Sequence, residues 1–117
     1  MTNISGNGII TIHRGDTFQA PILINIGLKV EPEFYALDDR DVVYVSICEP
    51  NQLFEEGIIR RVITQEQFDF EKHAWLKLSS EDTSNIKAGV YYYEIKIKLV
   101  DDTVATIVPR KKFIVLE

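Results

Sequence analysis

The sequence predicts an all-β fold, an antiparallel β-sandwich of about seven or eight short strands. Three observations predict it. Apolar and polar residues alternate with period two along several segments, turn residues recur between those segments, and no stretch sustains a helical period over about ten residues. The chain has 117 residues, enough for one domain with its own core. Residues 9–117 read as that single domain, and residues 1–8 as a flexible N-terminal arm.

Each element follows in order. Ile9 to His13 is short and rich in β-branched residues. Arg14-Gly15-Asp16 divides it from a second strand, in which Phe18, Ala20, Ile22, Ile24 and Ile26 share one parity against Gln19 and Asn25. Pro21 cannot donate to a ladder, so this strand belongs at an edge or a bulge. Residues 27–41, with Gly27, Pro32 and the acidic Asp38, Asp39 and Asp41, read as a long connection. Val43, Val45 and Ile47 then alternate with Tyr44, Ser46 and Cys48, which makes Cys48 a half-buried small hydrophobe. Glu55-Glu56-Gly57 fits a short hairpin loop before the strand Ile58 to Ile63. Thr64 to Phe68 and Ser80 to Ile86 are candidates for single helical turns, the second capped by Ser79 or Ser80. Between them lies the strand Ala74 to Leu78. The clearest alternation runs from Tyr91 to Leu99, with Tyr91, Tyr93, Ile95, Ile97 and Leu99 on one face and Tyr92, Glu94, Lys96 and Lys98 on the other. Asp101-Asp102 forms a hairpin turn. Thr103 to Val108 and Lys112 to Leu116 close the sheet, with Pro109 kinking or bulging them apart.

Composition narrows the function. The formal charge is −5, which argues against a nucleic-acid or anionic-membrane binder. The basic clusters Arg60-Arg61 and Arg110-Lys111-Lys112 split between the faces of alternating strands. One cysteine excludes an internal disulfide framework and a cysteine-rich zinc site. No apolar run approaches the length of a membrane span, and Met1 to Gly8 lacks the pattern of a signal peptide. Arg14-Gly15-Asp16 matches the tripeptide read by integrins, but a turn explains it, with Gly15 in an unusual backbone angle and Asp16 bonding back to the backbone. Asp38-Asp39-Arg40-Asp41 lacks the spacing and glycine of a calcium loop and reads as an exposed acidic loop. His13 and His73 have no second metal ligand at short spacing. No cofactor, metal or catalytic residue is expected.

Aromatic side chains are the more informative feature. By parity Tyr91 and Tyr93 face the core, while Tyr44, Trp75 and Tyr92 point the other way and are candidate interface residues. Parity leaves open which face a second sheet covers.

One stretch is more specific. Leu78-Ser79-Ser80-Glu81-Asp82-Thr83, followed by Gly89-Val90-Tyr91-Tyr92-Tyr93-Glu94-Ile95, resembles the N-terminal domain of tailed-phage upper baseplate proteins and related phage tail modules. The opening Ile12 to Phe18, the strand Val43 to Pro50 and the closing Phe113-Ile114-Val115 are similar to further segments of that family, so the likeness runs from about residue 9 to 116. The resemblance implies an immunoglobulin-like sandwich. In such a fold Gly15, Asp16, Asp82, Thr83, Gly89 and Tyr91 are structural: Gly89 admits a tight turn, Tyr91 ties a loop through its hydroxyl, and Asp82-Thr83 bonds the crossing loop. It also implies a virion structural protein, assembled in the host cytoplasm, with other virion proteins and further copies of itself as partners. The upper baseplate proteins continue into helical and receptor-organising parts, whereas this sequence stops at Glu117, so a small tail, baseplate or head-appendage adaptor or accessory protein is the expectation. The rival expectation is a carbohydrate- or host-surface-binding module on the same fold, with Trp75, Tyr92 and Tyr44 stacking on sugar rings. An enzyme is not expected.

Overall fold

Residues 8–22 and 36–117, with the backbone of residues 3 and 4, are described by a computed structural model. Ile24 and Ile26 of the expected second strand lie outside the described residues, as do positions 27–35 of the connection and most of the arm. Among the described residues there are eight strands: β1 (Asn3–Ile4), which falls in the stretch read as an arm, and seven from the alternating segments, β2 (Ile10–His13), β3 (Phe18–Ile22), β4 (Val42–Cys48), β5 (Ile59–Ile63), β6 (Ala74–Leu78), β7 (Gly89–Lys98) and β8 (Val104–Leu116). One short helix, α1 (Ser80–Ser84), separates β6 from β7. No helix among the described residues is long and apolar enough to cross a membrane.

Two sheets result. The larger has the order β1-β2-β8-β7-β4-β5, and the smaller pairs β3 with β6. Val43, Val45 and Ile47 of β4 lie opposite Ile97, Ile95 and Tyr93 of β7, and with Phe113 and Val115 of β8 they fill the inner face of the larger sheet. Phe18, Ile22, Ala74, Leu76 and Leu78 do the same for the smaller sheet, and both sets belong to one buried cluster. Period two in sequence thus becomes one shared core between two layers. Near its centre the Phe113 ring stands edge-on to Tyr93, with centroids 6.4 Å apart.

Four expectations need correction. The larger sheet is mixed rather than antiparallel, because β2 runs parallel to β8. A parallel neighbour needs a long connection, and here almost the whole chain lies between the two strands. Pro109 sits at a bulge, as expected, but the segments on either side of it are one strand and not two. β8 is continuous over 13 residues, and its register against β7 slips on either side of Ile95, so the proline sits where a ladder bond is already missing.

The link from β4 to β5 is not a short hairpin. Residues 49–58 fold back over the outer face of β4 through a 3₁₀ turn at Phe54–Glu56. That fold-back also corrects Cys48, which is fully buried rather than half-buried. Its thiol donates to the Leu53 carbonyl at 3.3 Å, and the neighbouring Ser46 hydroxyl donates to the Phe54 carbonyl at 2.6 Å.

Gly57 makes the fold-back possible. A Cβ at this position would collide with Ser46 Oγ and come within 2.9 Å of the Ile47 carbonyl oxygen. Gly57→Ala is therefore expected to destabilise the protein by about 1–3 kcal/mol, an overpacking cost. Urea unfolding checks it; an unchanged midpoint would mean that the loop lifts off β4 without loss.

Candidate functional site

Several of the residues that carry the sequence resemblance meet where α1 packs on the turn between β2 and β3. Ser79 follows β6 and caps α1: its hydroxyl accepts from Asp82 N at 3.1 Å, while Asp82 Oδ2 accepts from Ser79 N at 2.8 Å. The same Asp82 oxygen receives Arg61 from β5 at 2.8 Å. The Ser79 amide, together with Arg61, holds the Asp82 carboxyl below its ordinary pKa. Thr83 is fully buried. Its hydroxyl accepts from Gly15 N at 3.0 Å and donates to the Asp16 carbonyl at 2.7 Å. Gly15 takes a φ of 87°, the positive region that turns the chain from β2 in one sheet to β3 in the other. Ser80 Oγ donates to the Gly15 carbonyl at 2.6 Å, and Arg14 reaches the Ser84 carbonyl at 2.9 Å and the Glu117 carboxylate at 3.2 Å. Arg14-Gly15-Asp16 is thus a turn whose arginine is engaged within the chain. Gly89 opens β7 at φ 158°. Two residues on, the Tyr91 hydroxyl donates to the Lys87 carbonyl at 2.7 Å, and burial raises its pKa.

The three outward aromatics do not share a surface. Tyr44 pairs with Lys96, and Tyr92 with Cys48, so both lie on the outer face of the larger sheet. The 49–58 loop covers Ser46 and Cys48 on this face and sets Phe54 beneath Lys96, whose ammonium lies 4.6 Å from the ring centroid. Arg110 lies over Tyr92, 5.2 Å from its centroid, and donates to the Glu49 carbonyl at 3.1 Å, strapping that loop to β8. Trp75 pairs with Pro21 on the outer face of the smaller sheet, across the core from the two tyrosines. Trp75 and the two tyrosines therefore lie on different surfaces.

Trp75 instead lines a cleft of about 580 Å³, where the outer face of the smaller sheet meets β5 and the turn at residues 65–69. Its indole N–H donates to Asp69 Oδ2 at 2.7 Å. Asp69 Oδ1 accepts from the backbone N–H groups of His73 and Glu71 at 2.9 and 3.0 Å. The indole bond, with these amides, pulls the Asp69 pKa below its ordinary value. Sequence reasoning missed Asp69 and this cleft. Asp69 and Trp75 are six residues apart around a turn, a spacing no common motif describes.

Other candidate groups resolve locally. His13 Nδ1 lies 3.2 Å from the Glu117 carbonyl oxygen. The acidic loop is exposed at Asp38, Asp39 and Arg40 but, contrary to expectation, not at Asp41, which is buried and accepts from Asp38 N through Oδ2, while Arg40 N donates to Asp38 Oδ1 and Lys72 pairs with Asp39 at 3.2 Å. Among the described residues no three His, Cys, Asp or Glu side chains are grouped to hold a metal. Comparison with protein-family models, with curated proteins and with solved structures finds no match.

Proposed function

We propose that the chain is an immunoglobulin-like sandwich serving as a structural protein of a phage or prophage virion, a small tail, baseplate or head-appendage adaptor that works through protein contacts. The fold part of this reading draws on strand order. A sheet that contains the order β2-β8-β7-β4-β5 beside a β3-β6 pair, with β2 parallel to β8, supports it, because immunoglobulin-type sandwiches divide their strands between two sheets in a similar way. The Tyr91 hydroxyl on the Lys87 carbonyl sits where such domains place their tyrosine corner, near the start of the penultimate strand.

The observation that carries the functional part is the bonding around α1 and Tyr91. The residues with the likeness to phage tail modules, Gly15, Asp16, Asp82, Thr83 and Tyr91, spend their polar atoms on tying turns to strands. That is the pattern of a scaffold, and a scaffold acts through its surfaces. Symmetric virion sites call for several copies, and further virion proteins are the natural partners.

Particle composition tests the proposal. Induced cells carrying the gene with its neighbours are expected to yield tailed particles whose mass spectra contain peptides of this chain. Light scattering of the purified protein is expected to show multimers. Tailed particles that lack the chain, together with a strict monomer in solution, would sink the reading.

A further inference from the structure

We propose that the Trp75 cleft is a binding site that takes a neutral oligosaccharide, with a sugar ring packed on the indole. Three features of the cleft support this. The first is preorganisation. The indole is fixed by Asp69, and Asp69 is fixed in turn by two backbone amides, so the aromatic surface does not have to be ordered when a ligand arrives.

The second is the chemistry of the remaining lining. Gln19, Glu66 and Lys77 are exposed on the cleft wall, and no bond within the described residues engages them. Gln67 uses its carbonyl oxygen on Thr64 N at 3.1 Å and keeps its amide N–H₂ group for a ligand. These are planar carboxamide and carboxylate groups beside an ammonium, a set that serves adjacent hydroxyls as donors and acceptors. An apolar ligand would leave them unpaired, at a cost for each. Charge is the third feature. Glu66 and Asp69 stand beside Lys77, and Arg61 is committed to Asp82, so the cleft carries both signs without a cluster of either to hold a strongly charged ligand. Its volume falls within the range of small-molecule sites, roughly 300–1,000 Å³.

Trp75 is the only tryptophan of the chain, so fluorescence excited at the red edge, where tyrosine does not absorb, reports on this cleft alone. The full chain is titrated with chitotetraose, cellotetraose, maltotetraose and mannotetraose, each to about 10 mM, a range that covers weak millimolar affinities. At least one is expected to shift the emission saturably. Gln19→Ala and Glu66→Gln lie on the exposed wall and are expected to leave the melting temperature unchanged, while weakening that sugar by at least about fivefold, or roughly 1 kcal/mol. Trp75→Phe, followed by calorimetry, is expected to weaken binding while keeping the fold. No saturable shift with any of the four sugars overturns the proposal. So does a shift that both wall variants leave untouched, because the sugar would then be bound elsewhere. The proposal does not rest on the virion reading: a particle protein and a free binding module would give the same signal.

Discussion

Replacing Thr83 with valine is expected to lower folding stability by about 2–4 kcal/mol. Valine keeps the shape of the side chain and its β-branch, so no cavity opens and the loss isolates the hydroxyl. Thr83 is 0% exposed, and its oxygen serves the Gly15 amide and the Asp16 carbonyl, both on the turn that carries the chain between the sheets. Without it a half-buried donor and a half-buried acceptor lose their partner, at up to roughly 1–3 kcal/mol each. Thr83→Ser keeps the oxygen and removes one methyl, so its cost is expected to be nearer 1 kcal/mol. Chemical denaturation of the three proteins separates the two contributions. Equal losses in the valine and serine variants would show that packing, not the hydroxyl, holds this corner.

Phe113→Ala is expected to have the larger effect, about 3–5 kcal/mol, as for other buried aromatics cut back to a methyl. The ring is fully buried on β8 and stands edge-on to Tyr93 at an interplanar angle of 74°. Phe113 also pairs with Tyr91 on β7 and with Ile10 on β2, so the cavity would open beneath three neighbouring strands. Tyr93 in turn donates its hydroxyl to the Gly8 carbonyl, and burial raises its pKa. A loosened Tyr93 ring is expected to weaken that anchor of the chain ahead of β2. Denaturation monitored by circular dichroism checks the magnitude. A loss below about 1 kcal/mol would mean that the core closes over the gap, contrary to the behaviour of tightly packed interiors.

Much of the fold was legible because parity is a local property. Tyr91, Tyr93, Ile95 and Ile97 point inward as their spacing requires, and Ser79 caps α1 as its position before Glu81 and Asp82 suggests. The errors arise where a distant segment decides. Cys48 has the parity of a surface position, yet a loop anchored through Leu53, Phe54 and Gly57 buries it. Pro109 reads as a kink or bulge between two strands, and only with β7 beside it does the slipped register show one continuous strand that carries the bulge. Trp75, Tyr44 and Tyr92 look equivalent by alternation, because alternation tells inside from outside but not one outer face from the other. The candidate site was hardest to foresee. It depends on Asp69 turning back to the indole and on β5 lying beside the smaller sheet, and neither is written in a short window of sequence.

The parallel pairing of β2 with β8 has a mechanical consequence. Ile10 lies opposite Phe113 and His13 opposite Leu116, with both strands running the same way. Tension that enters ahead of Ile10 and leaves after Leu116 pulls the two strands along their lengths in opposite directions. Every hydrogen bond between them is then loaded together in shear, instead of being opened one at a time like a zipper. Resistance to such a pull is set by the rate of crossing the unfolding barrier rather than by equilibrium stability. A domain stitched in this way can carry load along its axis even when its folding free energy is modest.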